Sequence, residues 1–417
     1  MIDPSPVPAR RIFFVNRFAW PDHSATSQIL TQVSEALADQ GHEVHIITSR
    51  ARYSGGGEDL APHESSRSVR IHRTWTSRFG RSNLAGRVLD YLSFYGSSFF
   101  SVMKRTRRGD LVIAKTDPPL LGISIGLAAG LKGASRANWL QDLYPEVAAE
   151  LGVSLARGPI GRGLKALRNH SLNKSDLIIT IGSRMKEGII SEGISADRIA
   201  ILPNFARDDE MSPSPPGTAD LRREWGFDQD DFIIGYSGNL GRAHDHETLL
   251  DAAGTLHQDK GIKFLFVGGG HANTIIEEAA WKRNLRSFSF RPYQPESRLA
   301  QSLSVPDVHW VSLKPSLEGL IVPSKFYGIA AVARPVIMIG DPEGEIGRIV
   351  KAADSGAVFA PGDWRGLAAF LEELKQDPDQ RYRLGQNARA WLDANASRQA
   401  IFRKWADTLS SMNQEKT

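Results

Sequence analysis

The sequence predicts an α/β protein built from two doubly wound parallel-sheet domains in tandem. Three observations carry that expectation. The chain has 417 residues, more than one compact core supports. Short apolar runs alternate with helical patterns in both halves. A stretch dense in Pro, Ser and acid interrupts the alternation near the middle.

Ile12, Phe13, Phe14 and Val15 form a short apolar run, the pattern of a strand buried on both faces. From Ser27 onward Ile29, Val33, Ala36 and Leu37 recur at helical spacing, and Gly41 closes that helix. Residues 44–48 again read as a strand, so the first fifty residues make a strand-helix-strand unit, the start of a doubly wound sheet. Further buried strands are expected at 111–114, 137–140 and 177–181. Residues 207–226 are rich in Pro, Ser and acid and read as a linker with neither helix nor central strand. Beyond it, strands are expected at 232–236, 263–267, 307–312 and 335–339, with helices at 246–256, 275–283 and 324–332. Ile401, Trp405 and Leu409 share one face of a terminal helix. The expected division is therefore a first domain at 1–206, a linker at 207–226, a second domain at 227–394, and a helix at 395–417 that packs back on the first domain.

Composition removes several function classes. The absence of Cys excludes disulfide frameworks, thiolate metal sites and cysteine nucleophiles. Lys and Arg number 51 against 47 Asp and Glu, an excess too small to argue for a nucleic-acid partner. The longest weakly polar stretch, 118–131, is shorter than the roughly 20 residues that span a bilayer. The amino-terminal residues carry prolines and an acid instead of a basic stretch followed by an apolar run, so a cytoplasmic protein is expected.

Ligands of parallel α/β sheets collect beyond the carboxyl ends of the strands, and the loops there are informative. After residues 232–236 come Gly238, Asn239, Gly241 and Arg242, a loop that lets a ligand approach the backbone and offers a guanidinium to a phosphate; a tight turn with a surface arginine is the plainer alternative. Gly268, Gly269 and Gly270 follow the next strand, and fit either backbone approach to a ligand or a sharp turn. They do not match a dinucleotide fingerprint, and neither does Asn16-Arg17-Phe18 after the first strand, which argues against a dinucleotide oxidoreductase. Pro323, Ser324 and Lys325 place a hydroxyl, an ammonium and free backbone N–H groups at the mouth of a helix, an anion site. Glu345 opens another helix, where it can serve a ligand or simply complement the dipole.

Residues 235–244, together with 323–328 and the run Arg334-Pro335-Val336-Ile337, resemble family 4 retaining glycosyltransferases of the GT-B fold. The first half is similar to the same family through Gly41-His42-Glu43-Val44, residues 141–146 and Leu202-Pro203-Asn204. The nearest branch is the WbuB/WcaI-like one of bacterial exopolysaccharide and O-antigen assembly. This resemblance spans nearly the whole chain. It implies two Rossmann-like domains facing a cleft, a nucleotide-diphosphate sugar donor held by the second, and a glycan or polyprenyl-diphosphate-linked acceptor held by the first. It further implies that Arg242 and Lys325 neutralise the departing diphosphate without a metal or other cofactor, that Ser324 adds hydrogen bonds, and that Tyr293 and the Gly268–Gly270 turn lie near the base. Tyr327 belongs to the same donor segment. Many members carry two glutamates eight positions apart in this segment, the second holding the ribose; this chain has Leu320 and Gly328 instead. Glu318 and Glu345 stand nearby as substitutes, Glu318 as a catalytic candidate. The glycine that usually precedes the Arg-Pro pair is replaced by Ala333.

On the acceptor side, Asp142 follows a strand and could take a proton from an acceptor hydroxyl or cap a helix. Glu146 could do either as well. The polar stretch from Asn16 to Thr26 shapes that side, with His23 a surface histidine or a base. His244-Asp245-His246 invites a metal reading that alternate spacing disfavours, and Asp208-Asp209-Glu210 reads as solvated charge. Leu84, Val88, Leu92, Tyr95, Phe99 and Val102 make a helical apolar stripe followed by the basic cluster at 104–108. The stripe faces either the core or an anionic membrane at its inner surface. Two rivals to glycosyl transfer are a sugar-nucleotide 2-epimerase of the same fold and a catalytically silent donor-binding subunit.

Overall fold

The computed structural model describes residues 9–22, 24–53, 59–80, 84–207, 211–213 and 215–414. The chain divides into two compact units, Met1–Leu202 with Phe402–Thr417, and Pro203–Ile401.

In the first unit the elements follow as β1 (Arg11–Val15), α1 (Ala25–Asp39), β2 (Glu43–Ser49), β3 (His63–Ser66), β4 (Val69–Thr74), α2 (Leu84–Arg105), β5 (Leu111–Lys115), α3 (Leu121–Leu131), β6 (Ser135–Trp139), α4 (Glu146–Glu150), α5 (Gly158–Asn173), β7 (Leu177–Thr180), α6 (Ser183–Ser191) and β8 (Ile199–Ile201). The sheet order is β3-β4-β2-β1-β5-β6-β7-β8, parallel except where β3 pairs antiparallel with β4. The order reverses at β1, which lies between β2 and β5. Right-handed crossovers then place α1 on one face and α2, α3 and α5 on the other.

Alternate residues of β1 serve those two faces. Phe13 and Val15 pack with Val112 and Ala114 against Phe94 and Val102 of α2 and Leu121, Ile125 and Ala128 of α3. Phe14 points the other way, toward Trp139. Trp405 closes that face, 6.0 Å from the Phe14 ring and 4.7 Å from that of Trp139. The terminal helix that carries Trp405 thus completes the first core, although the chain reaches it last.

The second unit runs α7 (Thr218–Glu224), β9 (Phe232–Asn239), α8 (Glu247–Leu256), β10 (Ile262–Gly269), α9 (His271–Lys282), β11 (Phe288–Arg291), α10 (Leu299–Ser304), β12 (Val308–Ser312), α11 (Lys325–Ala331), β13 (Val336–Ile339), α12 (Glu345–Ala352), β14 (Gly356–Phe359), α13 (Trp364–Gln376) and α14 (Pro378–Asn395), and α15 (Arg398–Gln414) leads back to the first core. Its sheet, β11-β10-β9-β12-β13-β14, is parallel throughout and reverses at β9. Tyr236, Phe264, Phe266 and Trp310 form the centre of its core, packed against Leu249 and Leu250 of α8 and Leu367 and Leu371 of α13.

The expected linker is corrected in its second half. Residues 218–224 are helical, and Leu221, Trp225 and Phe227 pack on Ile233, Leu265 and Val267. Spacing of three or four residues puts Leu221 and Trp225 on one face, and burial of two large side chains outweighs the proline-rich approach. Asp208, Asp209 and Glu210 lie outside the described residues.

Candidate functional site

The reversal points of both sheets, at the carboxyl ends of β1 and β9, are where such folds hold ligands. In the second unit this end is built on glycine. Gly238 of β9 pairs with Gly268 of β10, and both have left-handed backbones, with φ of 125° and 128°. A Cβ on Gly268 would lie 2.4 Å from the Gly238 carbonyl oxygen, and one on Gly238 would lie 2.8 Å from Cε of Lys325. Only glycine fits either position. Leu240 N–H donates to the Gly269 carbonyl (2.8 Å), fastening the loop after Asn239 to the loop after β10. The ring of Tyr293 lies over Gly269, with Cε2 at 3.3 Å from the position a Cβ would take there, and is otherwise exposed.

Lys325 opens α11. Its Nζ stands 3.4 Å from His244 Nε2 and 5.2 Å from the centre of the Tyr236 ring. His244 Nδ1 is 2.6 Å from the Ser312 carbonyl oxygen. A carbonyl only accepts, so Nδ1 carries the proton and Nε2 is left to accept from Lys325. Burial, then the Lys325 charge, lowers the His244 pKa to about 4. Burial alone lowers Lys325 to about 8. Among the described residues no carboxylate forms an ion pair with Lys325. Ser324, exposed, is the N-cap of α11 and makes no capping bond with its side chain. The expected helix at 324–332 is only seven residues long (Lys325–Ala331), so its dipole is weak and the charge at this point is mainly that of the ammonium. The side chain of Arg242 is exposed, on the loop following β9.

Glu318 has a different place. Its Oε1 accepts from the backbone N–H of Glu345 at 2.8 Å, and a Cβ on Gly344 would come within 2.4 Å of Oε2. It therefore caps α12, whose own N-cap residue is glycine. Burial raises its pKa, against the opposing effect of the Glu345 N–H. Glu345 occupies the first turn of that helix, and Tyr327 is buried beside Phe326. Glu318 and Tyr327 are thus held by the fold around α11 and α12.

In the first unit the corresponding strand ends carry charged side chains in place of glycines. Lys115, the last residue of β5, is buried; its Nζ donates to the Thr26 carbonyl (2.6 Å) and lies 4.1 Å from the centre of the Trp139 ring. Asp142 follows β6 and shares with Lys115, Thr116, Tyr144 and Arg168 the lining of a cavity of about 30 Å³. Burial first, then the neighbouring Asp117, raises Asp142 to about 6, against the pull of Lys115. Lys115 is lowered to about 7 by burial, against Asp117 and Asp142. Burial thus pushes both groups toward neutral pH, the carboxyl from below and the ammonium from above.

Asn16 is buried after β1, with its Nδ2 donating to the Phe18 carbonyl at 2.6 Å and its Oδ1 without a partner among the described residues. Glu146 is held in an ion-pair cluster: Arg168 grips it through both nitrogens (2.8 and 3.0 Å) and also pairs with Glu192, which Lys165 approaches at 2.7 Å. That grip makes Glu146 part of the packing of α4 on α5. His23 lies outside the described residues. Among the described residues no group of three or more His, Asp or Glu is placed to hold a metal ion, and His244 of the His-Asp-His run is engaged with Ser312 and Lys325.

Sequence reasoning misses Lys115 and the partnership of His244 with Lys325. Lys115 has a readable signal, a charge directly at the end of a fully apolar strand. The His244 contact spans 81 residues and has none.

Two parallel sheets of this topology, each with polar groups at its reversal point, define a two-unit α/β architecture with candidate ligand ends, and comparison with known proteins specifies it. Residues 25–204 match the family model "Glycosyl transferase 4-like domain" and residues 218–391 match "Glycosyl transferases group 1". The chain belongs to these glycosyltransferases. WcaI of Escherichia coli (strain K12), assigned to colanic acid biosynthesis as a glycosyl transferase, is 28% identical over 394 residues, covering 91% of this chain and 96% of WcaI. Among solved structures, sucrose-phosphate synthase from Thermosynechococcus elongatus superposes with a TM-score of 0.76 at 18% identity, covering 97% of this chain and all of that one (100%). HepE of Anabaena, solved with UDP-glucose, gives 0.72 at 14% identity over 96% and 99%. The fold is GT-B, as the resemblance implied.

Proposed function

We propose that this glycosyltransferase moves a hexosyl or N-acetylhexosaminyl group, with retention of anomeric configuration, from a nucleotide-diphosphate sugar to a hydroxyl of a polyprenyl-diphosphate-linked glycan. The setting is bacterial surface-polysaccharide assembly on the inner face of the cytoplasmic membrane. One observation carries the donor side: the Lys325 ammonium stands near the reversal point of the second sheet, beside a neutral histidine, an aromatic ring and Gly238, with no carboxylate paired to it among the described residues. A cation so placed is poised for an anion.

As the bond from the anomeric carbon to the diphosphate oxygen breaks, its electrons leave with the diphosphate and negative charge grows there. Lys325, assisted by Arg242 and the Ser324 hydroxyl, stabilises that charge, and in this reading these side chains replace a divalent metal. Gly238, Asn239, Gly268, Gly269 and Tyr293 line the nucleotide. The acceptor oxygen forms the new bond on the same face of the sugar and gives up its proton, to the leaving phosphate or to Asp142. HepE, the neighbour solved with UDP-glucose, supports a sugar nucleotide as donor, and WcaI supports a surface polysaccharide as destination.

A panel of sugar nucleotides tested for saturable binding and slow hydrolysis, with and without EDTA, tests this reading. At least one donor should bind to the wild type and not to Lys325→Ala, and EDTA should change nothing. Equal handling of every donor by both proteins overturns the donor assignment. Release of epimerised sugar without acceptor identifies an epimerase, and binding without turnover in the presence of lipid-linked acceptor identifies a silent subunit.

A further inference from the structure

The outward face of α2 is apolar. Positions 85, 88, 89, 92, 96, 100 and 104 fall on one side of a helix, and they are the exposed ones among residues 85–105 of α2. They include Val88, Leu89, Leu92 (56% exposed) and Phe100 (72%), and the face ends in Lys104. The inward side holds Asp90, Ser98 and Ser101, all buried, beside Phe94 and Val102. A surface helix normally shows the opposite arrangement. The stripe expected from the sequence thus splits: Val102 joins the core, whereas Val88 and Leu92 face out. α3 packs beside α2 on the same face of the sheet and adds Leu127 (60%) and Leu131 (64%) near its end.

The charges around this patch have one sign. α2, α3 and α5 carry a single acid, Asp90, and it is buried in an ion pair with Arg17 at 3.2 Å. Basic residues gather where α2 and α3 both end: Lys104, Arg107 and Arg108 follow Phe100, and Lys132 follows Leu131. Arg108 reaches the turn after α3, with Cγ 3.6 Å from where a Cβ on Gly133 would stand. A continuous apolar surface rimmed by cations on one end is the complement of a bilayer whose acyl chains lie under anionic headgroups.

We infer that the α2–α3 face docks on an anionic membrane, with Leu92, Phe100, Leu127 and Leu131 at the acyl boundary and Lys104, Arg107, Arg108 and Lys132 among the headgroups. The inference deepens the reading of a lipid-linked acceptor by naming the surface that meets the lipid. No helix among the described residues is long and apolar enough to cross a membrane, so the contact is peripheral and reversible.

The test is co-sedimentation of the full chain with vesicles of phosphatidylcholine alone or with about 30% phosphatidylglycerol, the anionic fraction being chosen to give a surface potential. Binding is expected to the anionic vesicles, at least tenfold weaker to neutral ones, and weaker in high salt. The double variant Leu92→Glu, Phe100→Glu should lose at least tenfold, and so should Lys104→Ala, Arg107→Ala, Arg108→Ala. Trp281→Glu, on α9 of the other unit at 83% exposure, should bind as wild type. Since Leu92 and Phe100 are already exposed, unchanged circular dichroism and donor hydrolysis are expected in the double variant. The inference is overturned if the wild type ignores anionic vesicles, if the double variant binds like wild type, or if the face instead mediates a dimer that the double variant dissolves. Lys325→Ala should still bind vesicles, so a failed donor assignment and a failed docking face give different results.

Discussion

Two lysines, Lys115 at the end of β5 and Lys325 at the start of α11, contrast a buried charge that has carboxylates beside it with one that has none among the described residues. Lys115 and Lys325 both have pKa values pulled down by burial, to about 7 and about 8. Lys115 has its counter-charges already, Asp117 and Asp142, and spends a hydrogen bond on the Thr26 carbonyl. Lys325 faces a histidine whose available nitrogen is only an acceptor, an aromatic ring and Gly238. The first arrangement is internally satisfied; the second, in the proposed reading, is complete only with an anion present. Elements of the same topology thus arrive at opposite electrostatics because one sheet ends in glycines and the other in charged side chains.

The largest effect should come from breaking the second arrangement. Lys325→Ala is expected to lower kcat/KM for the donor by about 10²- to 10³-fold, the usual cost of removing a preorganised charge stabiliser. Arg242→Ala should cost on the order of tenfold, because its solvated guanidinium is screened. Steady-state kinetics with a competent donor measures both, and a larger loss for Arg242 would reverse their roles. Next, Asp142→Asn should lower kcat for transfer by about 10²-fold while leaving donor binding and hydrolysis unchanged, the signature of a group serving the acceptor's proton. If donor affinity falls with it, Asp142 belongs with the packing of the first unit.

The pH dependence sharpens the same contrast. Below its pKa of about 8 the free enzyme carries Lys325 protonated; above it the charge that draws the diphosphate is lost. Donor kcat/KM for transfer should therefore be flat between about pH 6, below which Asp142 is protonated, and about pH 8, and fall about tenfold per unit above that, and Lys325→Arg should abolish the upper fall. Bound diphosphate favours the ammonium, so the matching fall in kcat moves to higher pH. A fall that persists in Lys325→Arg belongs to another group.

Much of the second unit's site is legible in the sequence because glycine and proline mark it: Gly238 and Gly268 punctuate strand ends, and Pro323 stands two residues before Lys325. The first unit's site is harder, because Lys115 and Asp142 are marked only by their places at or just after strand ends, and Thr26, whose carbonyl Lys115 meets across the sheet, carries no local signature. The helix at 218–224 is hidden by its proline-rich neighbours, and the outward apolar face of α2 is ambiguous because periodicity gives a stripe without saying which way it points. Glu318 shows a further limit. A carboxylate near a proposed phosphate site looks catalytic, but its geometry is that of a helix cap. Glu318→Ala should cost about 1 kcal/mol of stability, measured by denaturant unfolding, and Glu318→Gln should recover most of that together with activity, since an amide oxygen still accepts from Glu345 N–H. Inactive but stable Glu318→Gln would return the residue to catalysis.

The smallest expected effect concerns Ala333, where the family usually has glycine. Its φ is 51°, left-handed, at the turn between α11 and β13, and a Cβ on Gly385 of α14 would come within 2.1 Å of the Ala333 carbonyl oxygen. The turn is fixed from both sides, so the alanine cannot relax to a right-handed backbone without moving α14. A left-handed alanine costs roughly 1–2 kcal/mol, and a glycine there gives back about 0.5–1 kcal/mol through greater freedom of the unfolded chain. Ala333→Gly should therefore raise stability slightly, by up to about 1 kcal/mol, a shift of no more than a few degrees in Tm for a unit of this size. Because the substitution is far along the sheet from the glycines at Gly238 and Gly268, which stand at the opposite ends of their strands, donor kinetics should be unchanged. A drop in stability would mean that the entropy of the unfolded chain outweighs the strain, and a change in donor KM would mean that the turn before β13 helps to set the position of Lys325.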